Sequence, residues 1–198
     1  MLLRRYTRPS SNQICFTHES SKTFSGETAF SVNLSVGNLS VPEKRYIQLY
    51  KWFNVKYVII DVMCLTPFPK PSKPNVPYLK SCFNSDQFVD YGADVIKSKS
   101  SSVTHPPLRS FTRILKCKPK VAVSVDTTTL GVIASRSNLF STETLTVSYG
   151  KFEIASFYDF TAKDSSDINY AINIRYCVDL YGEDVAMIHS HLQPPAST

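Results

Sequence analysis

In INYAINIRYCVDLYG (168–182) an apolar row and a mostly polar row alternate without a slip for thirteen residues. Ile168, Tyr170, Ile172, Ile174, Tyr176, Val178 and Leu180 fall on one side, and Asn169, Ala171, Asn173, Arg175, Cys177 and Asp179 on the other. Successive strand side chains point to opposite faces, so this pattern predicts a long strand with one face on a core and the other toward solvent or a neighbouring molecule. At about 3.3 Å per residue it would span roughly 43 Å, the length of a whole sheet.

The same period of two runs through ETAFSVNLSV (27–36), where Thr28, Phe30, Val32, Leu34 and Val36 share a face. A helix is predicted over 42–52: Ser40 can cap it, Pro42 suits its first turn, Glu43 its positive end, and Tyr46, Leu49, Tyr50 and Phe53 recur at helical spacing. NVKYVIIDVMCLTP (54–67) is apolar at nearly every position and reads as a strand buried on both faces. The proline-dense 67–77 reads as an extended surface loop. Residues 86–110 offer one weak strand and a Ser-rich loop over 97–110. SFTRILKCKPKVAVSVD (110–126) reads as a strand interrupted or bulged at Pro119. ETLTVSYGKFEIASFYDF (143–160) reads as two strands around Tyr149-Gly150, or one bent strand.

Residues 1–24 are polar without sustained periodicity and read as a flexible basic arm, with 25–188 as one domain and 189–198 as a tail. Roughly eight strands, one short helix and long loops, with no βαβ alternation, make the chain all-β. The expected architecture is a single jelly roll, an eight-stranded antiparallel β-sandwich.

Composition agrees: in 198 residues there are 12 Phe and 11 Tyr against one Trp, and 12 Pro against 6 Gly. The five cysteines (15, 64, 82, 117, 177) are scattered with no CxxC, which suits small core residues rather than a disulfide framework or zinc knuckle. No apolar run reaches the length of a membrane span, so no membrane insertion is expected. None of the nucleotide-binding, nucleophile-elbow or zinc-protease motifs occurs. His189 and His191 could share one side of an extended chain, but no third ligand is fixed for a metal. Asp61, the acid inside YVIIDVMC, reads as a strand carboxylate paired to an arginine or to backbone rather than as a catalyst. No enzymatic activity, cofactor or metal is expected.

The net charge of +6 is unevenly placed. Arg4, Arg5 and Arg8 stand beside Tyr6 near the N-terminus, a mix suited to phosphate contact and base stacking. Lys116, Lys118 and Lys120 share parity, so one continuous strand would line them up about 6.6 Å apart, near the phosphate spacing of an extended nucleic-acid strand. Both groups read equally as solvated charge, the lysines as a row that keeps a sheet from aggregating. Phe68, Tyr78, Phe83, Phe88 and Tyr91 lie outside the best strands, and each is either a subunit contact or a satellite core residue under a loop. Arg175, the basic residue of the outward row in 168–182, is expected to touch a neighbouring subunit or nucleic acid.

Taken in order, several segments resemble the capsid proteins of circoviruses and related small circular single-stranded DNA viruses. They are RRYTRP (4–9), KRYIQLYKWFNVKYVIIDVMCLTP (44–67), VDYGADVIKSKSSS (89–102) with HPPLRSFTRILKCKPKVAV (105–123), VSYGKFEIASFYD (147–159) and INYAINIRYCVDLYG. The resemblance implies a jelly roll that assembles in many copies, sixty in the simplest shell, around a single-stranded DNA genome. It places the protein in the virion, and in the host nucleus or cytoplasm during assembly. Circovirus-like arms carry long arginine runs, whereas this one has three arginines: either the arm is reduced or upstream residues are missing, and the share expected of inner-surface lysines rises. Two other readings fit the same fold: a jelly-roll binding module of lectin or host-recognition type, and an RNA-virus coat, since backbone charge is common to DNA and RNA.

Overall fold

The computed structural model describes residues 12–24, 28–66, 78–85, 89–106, 108–116, 120–126, 129–134, 139–142, 145, 147–157 and 168–183. Among them are eleven strands: β1 (Asn12–Phe24), β2 (Ala29–Ser35), β3 (Tyr50–Cys64), β4 (Tyr78–Asn84), β5 (Val103–His105), β6 (Phe111–Lys116), β7 (Lys120–Asp126), β8 (Thr129–Ala134), β9 (Phe140–Ser141), β10 (Ser148–Phe157) and β11 (Ile168–Glu183). Two short helices, α1 (Val41–Gln48) and α2 (Ala93–Ser98), lie between β2 and β3 and between β4 and β5.

The eleven strands make two antiparallel sheets, one of five strands and one of six. One has the order β1-β11-β3-β6. In the other, β5 pairs with β4, and β4 and β2 flank β10, with Lys151 opposite Asn84 on one side and Asn33 on the other. The β7–β8 hairpin joins the second sheet at Ser148↔Lys120, and β9 adds to β3. The core lies between the sheets, where Val58, Ile60, Val62, Leu79, Phe152, Ile154, Ile172, Ile174 and Tyr176 have no exposed surface. The all-β sandwich expected from the alternation is the fold observed.

β11 matches its pattern: the whole apolar row from Ile168 to Leu180 is buried. Its other row is less uniform, since Cys177 and Asp179 are also covered. β3 is not buried on both faces. Cys177 pairs with Tyr57 and Val178 with Val55, which makes Lys56 an extra residue in the strand. That bulge flips the parity, so the core row runs Phe53, Val55, then Val58, Ile60, Val62, while Lys56 and Met63 are exposed.

Four more expectations change. Residues 12–24 of the segment read as an arm are strand β1, with thirteen pairs to β11; Phe16 and Phe24 anchor it in the core, but His18, Ser20 and Lys22 between them hide the apolar row. The helix at 42–52 ends at Gln48, because Tyr50 already pairs with Glu183; at its start the Glu43 carboxylate accepts from the Ser40 N–H and hydroxyl, at 2.9 and 2.7 Å. Within 86–110 lies the helix α2, packed by the buried Ile96. The 110–126 strand is two strands in different sheets, β6 and β7. Of the two readings for 143–160, the bent single strand is observed: β10 shifts register between Ser148 and Lys151, where Gly150 has φ +93°.

Candidate subunit and nucleic-acid surfaces

The outer face of the sheet β1-β11-β3-β6 is built by register. Thr17, Arg175, Ile59 and Ile114 form one cross-strand row, Glu19, Asn173, Asp61 and Thr112 the next, and Cys15, Cys177, Tyr57 and Lys116 the row on the other side. At its centre Arg175 Nη2 donates to Asp61 Oδ2 at 2.8 Å, and Thr112 Oγ1 donates to Asp61 Oδ1 at 2.7 Å. Asp61 is thus the arginine-paired strand carboxylate expected from the sequence. Arg175 keeps 45% of its side chain exposed after pairing, so part of its fork is free to meet another molecule.

Apolar side chains stand on this polar face. Ile114 is 64% exposed, and Met63 and Leu65 are exposed on the neighbouring strand and just beyond it. Apolar area amid charge is the composition of a contact surface. At one end of the face Lys116 lies opposite Tyr57, and Lys56 pairs with the buried Asp179 at 2.8 Å. That hydrogen bond raises the Lys56 pKa. The isoleucine in the outward row Thr112, Ile114, Lys116 was a sequence signal for this surface, visible once β6 is taken to end at Lys116.

The outer face of the second sheet is roofed by α2 and residues 89–92. Tyr78 stacks near Phe157 (centroids 5.6 Å apart), and Tyr91 packs beside Ile96, Cys82 and Phe157 with Lys99 Nζ 3.8 Å above its ring. Phe83 faces the main core, 5.7 Å from Phe152 and under the Arg113 guanidinium. Within the chain, Tyr78 and Tyr91 thus pack on a small cluster with Cys82, Ile96 and Phe157, and Phe83 packs on the main core. Phe68, Phe88, Arg4, Arg5, Arg8 and Lys118 lie outside the described residues. Lys116 ends β6 and Lys120 opens β7 in the opposite sheet, so the single strand that would align three lysines does not exist.

Between the sheets, at the β6–β5 flank, Ser81 Oγ and His105 Nε2 stand 2.7 Å apart, His105 stacks on Phe111 at 3.5 Å, and Arg113 Nη1 donates to Ser81 Oγ at 3.4 Å. Both Ser81 and His105 are buried. Burial, with the nearby Arg113 charge, pushes the His105 pKa down to about 4. The unfolded chain binds a proton at about pH 6.5 and the folded one does not, so stability is full above that pH and declines as pH falls toward about 4. We expect up to about 3 kcal/mol to be lost across this window through His105, and the His105→Gln variant to lose correspondingly less than the parent in urea titrations at both ends of it. Parallel slopes for the two proteins would refute the assignment. Among the described residues no cluster of three His, Cys, Asp or Glu could hold a metal, and no helix is long and apolar enough to cross a membrane.

No family model and no curated protein matches the sequence. Solved structures do match its shape. The 60-mer capsid protein of beak and feather disease virus, a circovirus, covers 97% of this chain and 100% of its own, with TM-score 0.68 at 12% identity. The decameric form of that capsid protein covers 86% of this chain and 99% of its own, with TM-score 0.60 at 10% identity. The maize chlorotic mottle virus structure covers 95% and 99%, with TM-score 0.51 at 14% identity. The fold is the viral-capsid jelly roll. In this jelly roll β11 is the central beam of one sheet, flanked by β1 and β3, and β10 holds the same place in the other.

Proposed function

We propose that the chain is the coat protein of a circovirus-like virus, which self-assembles into a small icosahedral shell of sixty copies and encloses a single-stranded DNA genome. The observation that carries this reading is the two-way match in shape: nearly all of this chain aligns with all of a capsid protein that forms a 60-mer. The ordered order of sequence segments resembling circovirus capsids, found independently of shape, points the same way.

The surfaces support it. A shell subunit meets its neighbours through heterologous contacts that must close, and the face bearing Ile114, Met63 and Arg175 has the mixed character such contacts use. Arg4, Arg5 and Arg8 precede β1 and supply charge for a DNA backbone without reading its sequence. The role is structural rather than catalytic, with no cofactor. RNA-virus capsids share the fold, which keeps an RNA coat as the second reading.

Sedimentation velocity of the purified protein at low salt, recorded at the absorbance maxima of nucleic acid and of protein, tests this. A fast uniform boundary with excess nucleic-acid absorbance is expected, its cargo degraded by DNase and not by RNase once the particles are opened. RNase-sensitive cargo would favour the RNA coat. A monomer at every salt concentration would overturn the shell reading and turn attention to a binding module. Arg175→Ala should fold normally, because an exposed pair contributes about 1 kcal/mol or less, but it should assemble poorly.

A further inference from the structure

Cys15 and Cys177, 162 positions apart in the chain, are directly opposed in the β1–β11 ladder, and their sulfurs stand 2.7 Å apart. Opposed residues of antiparallel strands have Cα atoms about 4.5–5.5 Å apart, within the range of about 4.4–6.8 Å that a disulfide spans. Both are free thiols here. Cys15 is exposed and Cys177 is buried beneath it. The Cys177 pKa is raised to about 11, chiefly by burial, so its thiol stays protonated at neutral pH. A reagent from solvent therefore meets Cys15 first.

We propose that Cys15 and Cys177 form a reversible cross-strand disulfide that staples β1 to β11 when the protein meets a low-molecular-weight disulfide. The Cys15 thiolate attacks one sulfur of the external disulfide and breaks its S–S bond, leaving a mixed disulfide on Cys15 and releasing one thiolate. Cys177 then gives up its proton, attacks the Cys15 sulfur and expels the second small thiolate. The two protein thiols are oxidised, the external disulfide is reduced to two thiols, and the two protons pass to them. An exposed bond of this kind is also open to reduction, so the staple is reversible.

The strand it would hold matters. β1 is the outermost strand of its sheet, hydrogen-bonded on one side alone among the described residues, and it leads directly from the segment that carries Arg4, Arg5 and Arg8. Such edges are the first part of a sheet to open. The staple would keep this one shut in an oxidising medium and release it in a reducing one. Its consequence for a particle rests on the shell reading; the disulfide itself does not.

The test uses the full chain incubated with oxidised glutathione and then with dithiothreitol. The expected result is a mass loss of about 2 Da, for the two hydrogens removed, with one cross-linked peptide carrying Cys15 and Cys177 and full reversal by the reductant. Cys15→Ser, which changes an exposed side chain and leaves the fold intact, should abolish it. Amide exchange across β1 should slow roughly tenfold on oxidation, since opening of the edge becomes covalently restricted. Glutathione retained on Cys15 while Cys177 still takes an alkylating reagent would overturn the proposal. So would a link between two chains, or unchanged exchange in β1.

Discussion

Glu153→Ala should lower the free energy of unfolding by about 3 kcal/mol, from two orphaned donors and a small cavity. Glu153 has no exposed surface. Its Oε1 accepts from Asn84 Nδ2 at 2.7 Å, and its Oε2 accepts from the Tyr91 backbone N–H at 2.9 Å. Asn84 Nδ2 in turn donates to the Val89 carbonyl at 2.7 Å, and Lys151 pairs with Asp90 next to it. One buried carboxylate thus ties residues 89–91 down onto β10 and β4, and α2 follows on from that segment. Removing it relieves some cost of burying a charge, which keeps the loss from being larger. The Glu153→Gln variant keeps the volume but turns an NH₂ toward groups that already donate, and should lose about 1–3 kcal/mol. Chemical denaturation gives the total, and amide exchange should show protection lost first over 89–98. A change within about 0.5 kcal/mol, with protection unaltered, would mean that the tie is not what holds the roof on.

Gly150→Ala should be nearly as damaging, at about 3 kcal/mol, or a fall in Tm of roughly 6–12 °C for a domain of this size. The residue sits at the register shift of β10 with φ +93°, and a Cβ there would overlap the Asn84 carbonyl oxygen. That oxygen is backbone, and its residue is already tied by its side chain to Glu153, so it cannot step aside. Gly92→Ala is the matched control: a Cβ at Gly92 meets nothing within 4 Å, and the cost should stay within about 1 kcal/mol. Equal melting temperatures for the two variants would show that the bulge adjusts freely.

Both sites show what a sequence can and cannot disclose. The strand at 168–182 was legible because each of its residues obeys one period and one face is wholly apolar. β3 carries as strong a signal, but the single extra residue at Lys56 reverses parity midway, and two half-strands of opposite phase add up to an apparently continuous apolar run. β1 was hidden for another reason: an edge strand is covered on one side of its ladder only, so a histidine, a serine and a lysine can stand in its inward row. The change of sheet between β6 and β7 has the local look of an interrupted strand in the sequence, since proline marks either. Contacts that depend on long-range pairing, such as Glu153 with Tyr91 or Cys15 with Cys177, leave no trace in local pattern. Ile114 and Arg175 could be placed on an outward face from parity alone, whereas Tyr78, Phe83 and Tyr91 could not be assigned to core or surface without knowing what covers them.

The place of β11 has a consequence for how the protein is made. It is the latest of the described strands to leave the ribosome, yet it lies in the middle of its sheet, between β1 and β3. Until it emerges, β1 has nothing to pair with and the long edge of β3 stays open, so folding of this sheet waits on contacts between the two ends of the domain. A truncated translation product therefore lacks the surface that Arg175, Asp61 and Ile114 build together. On the proposed shell reading, that ordering acts as quality control: the contact face is complete only after β11 has been synthesised and has paired with β1 and β3.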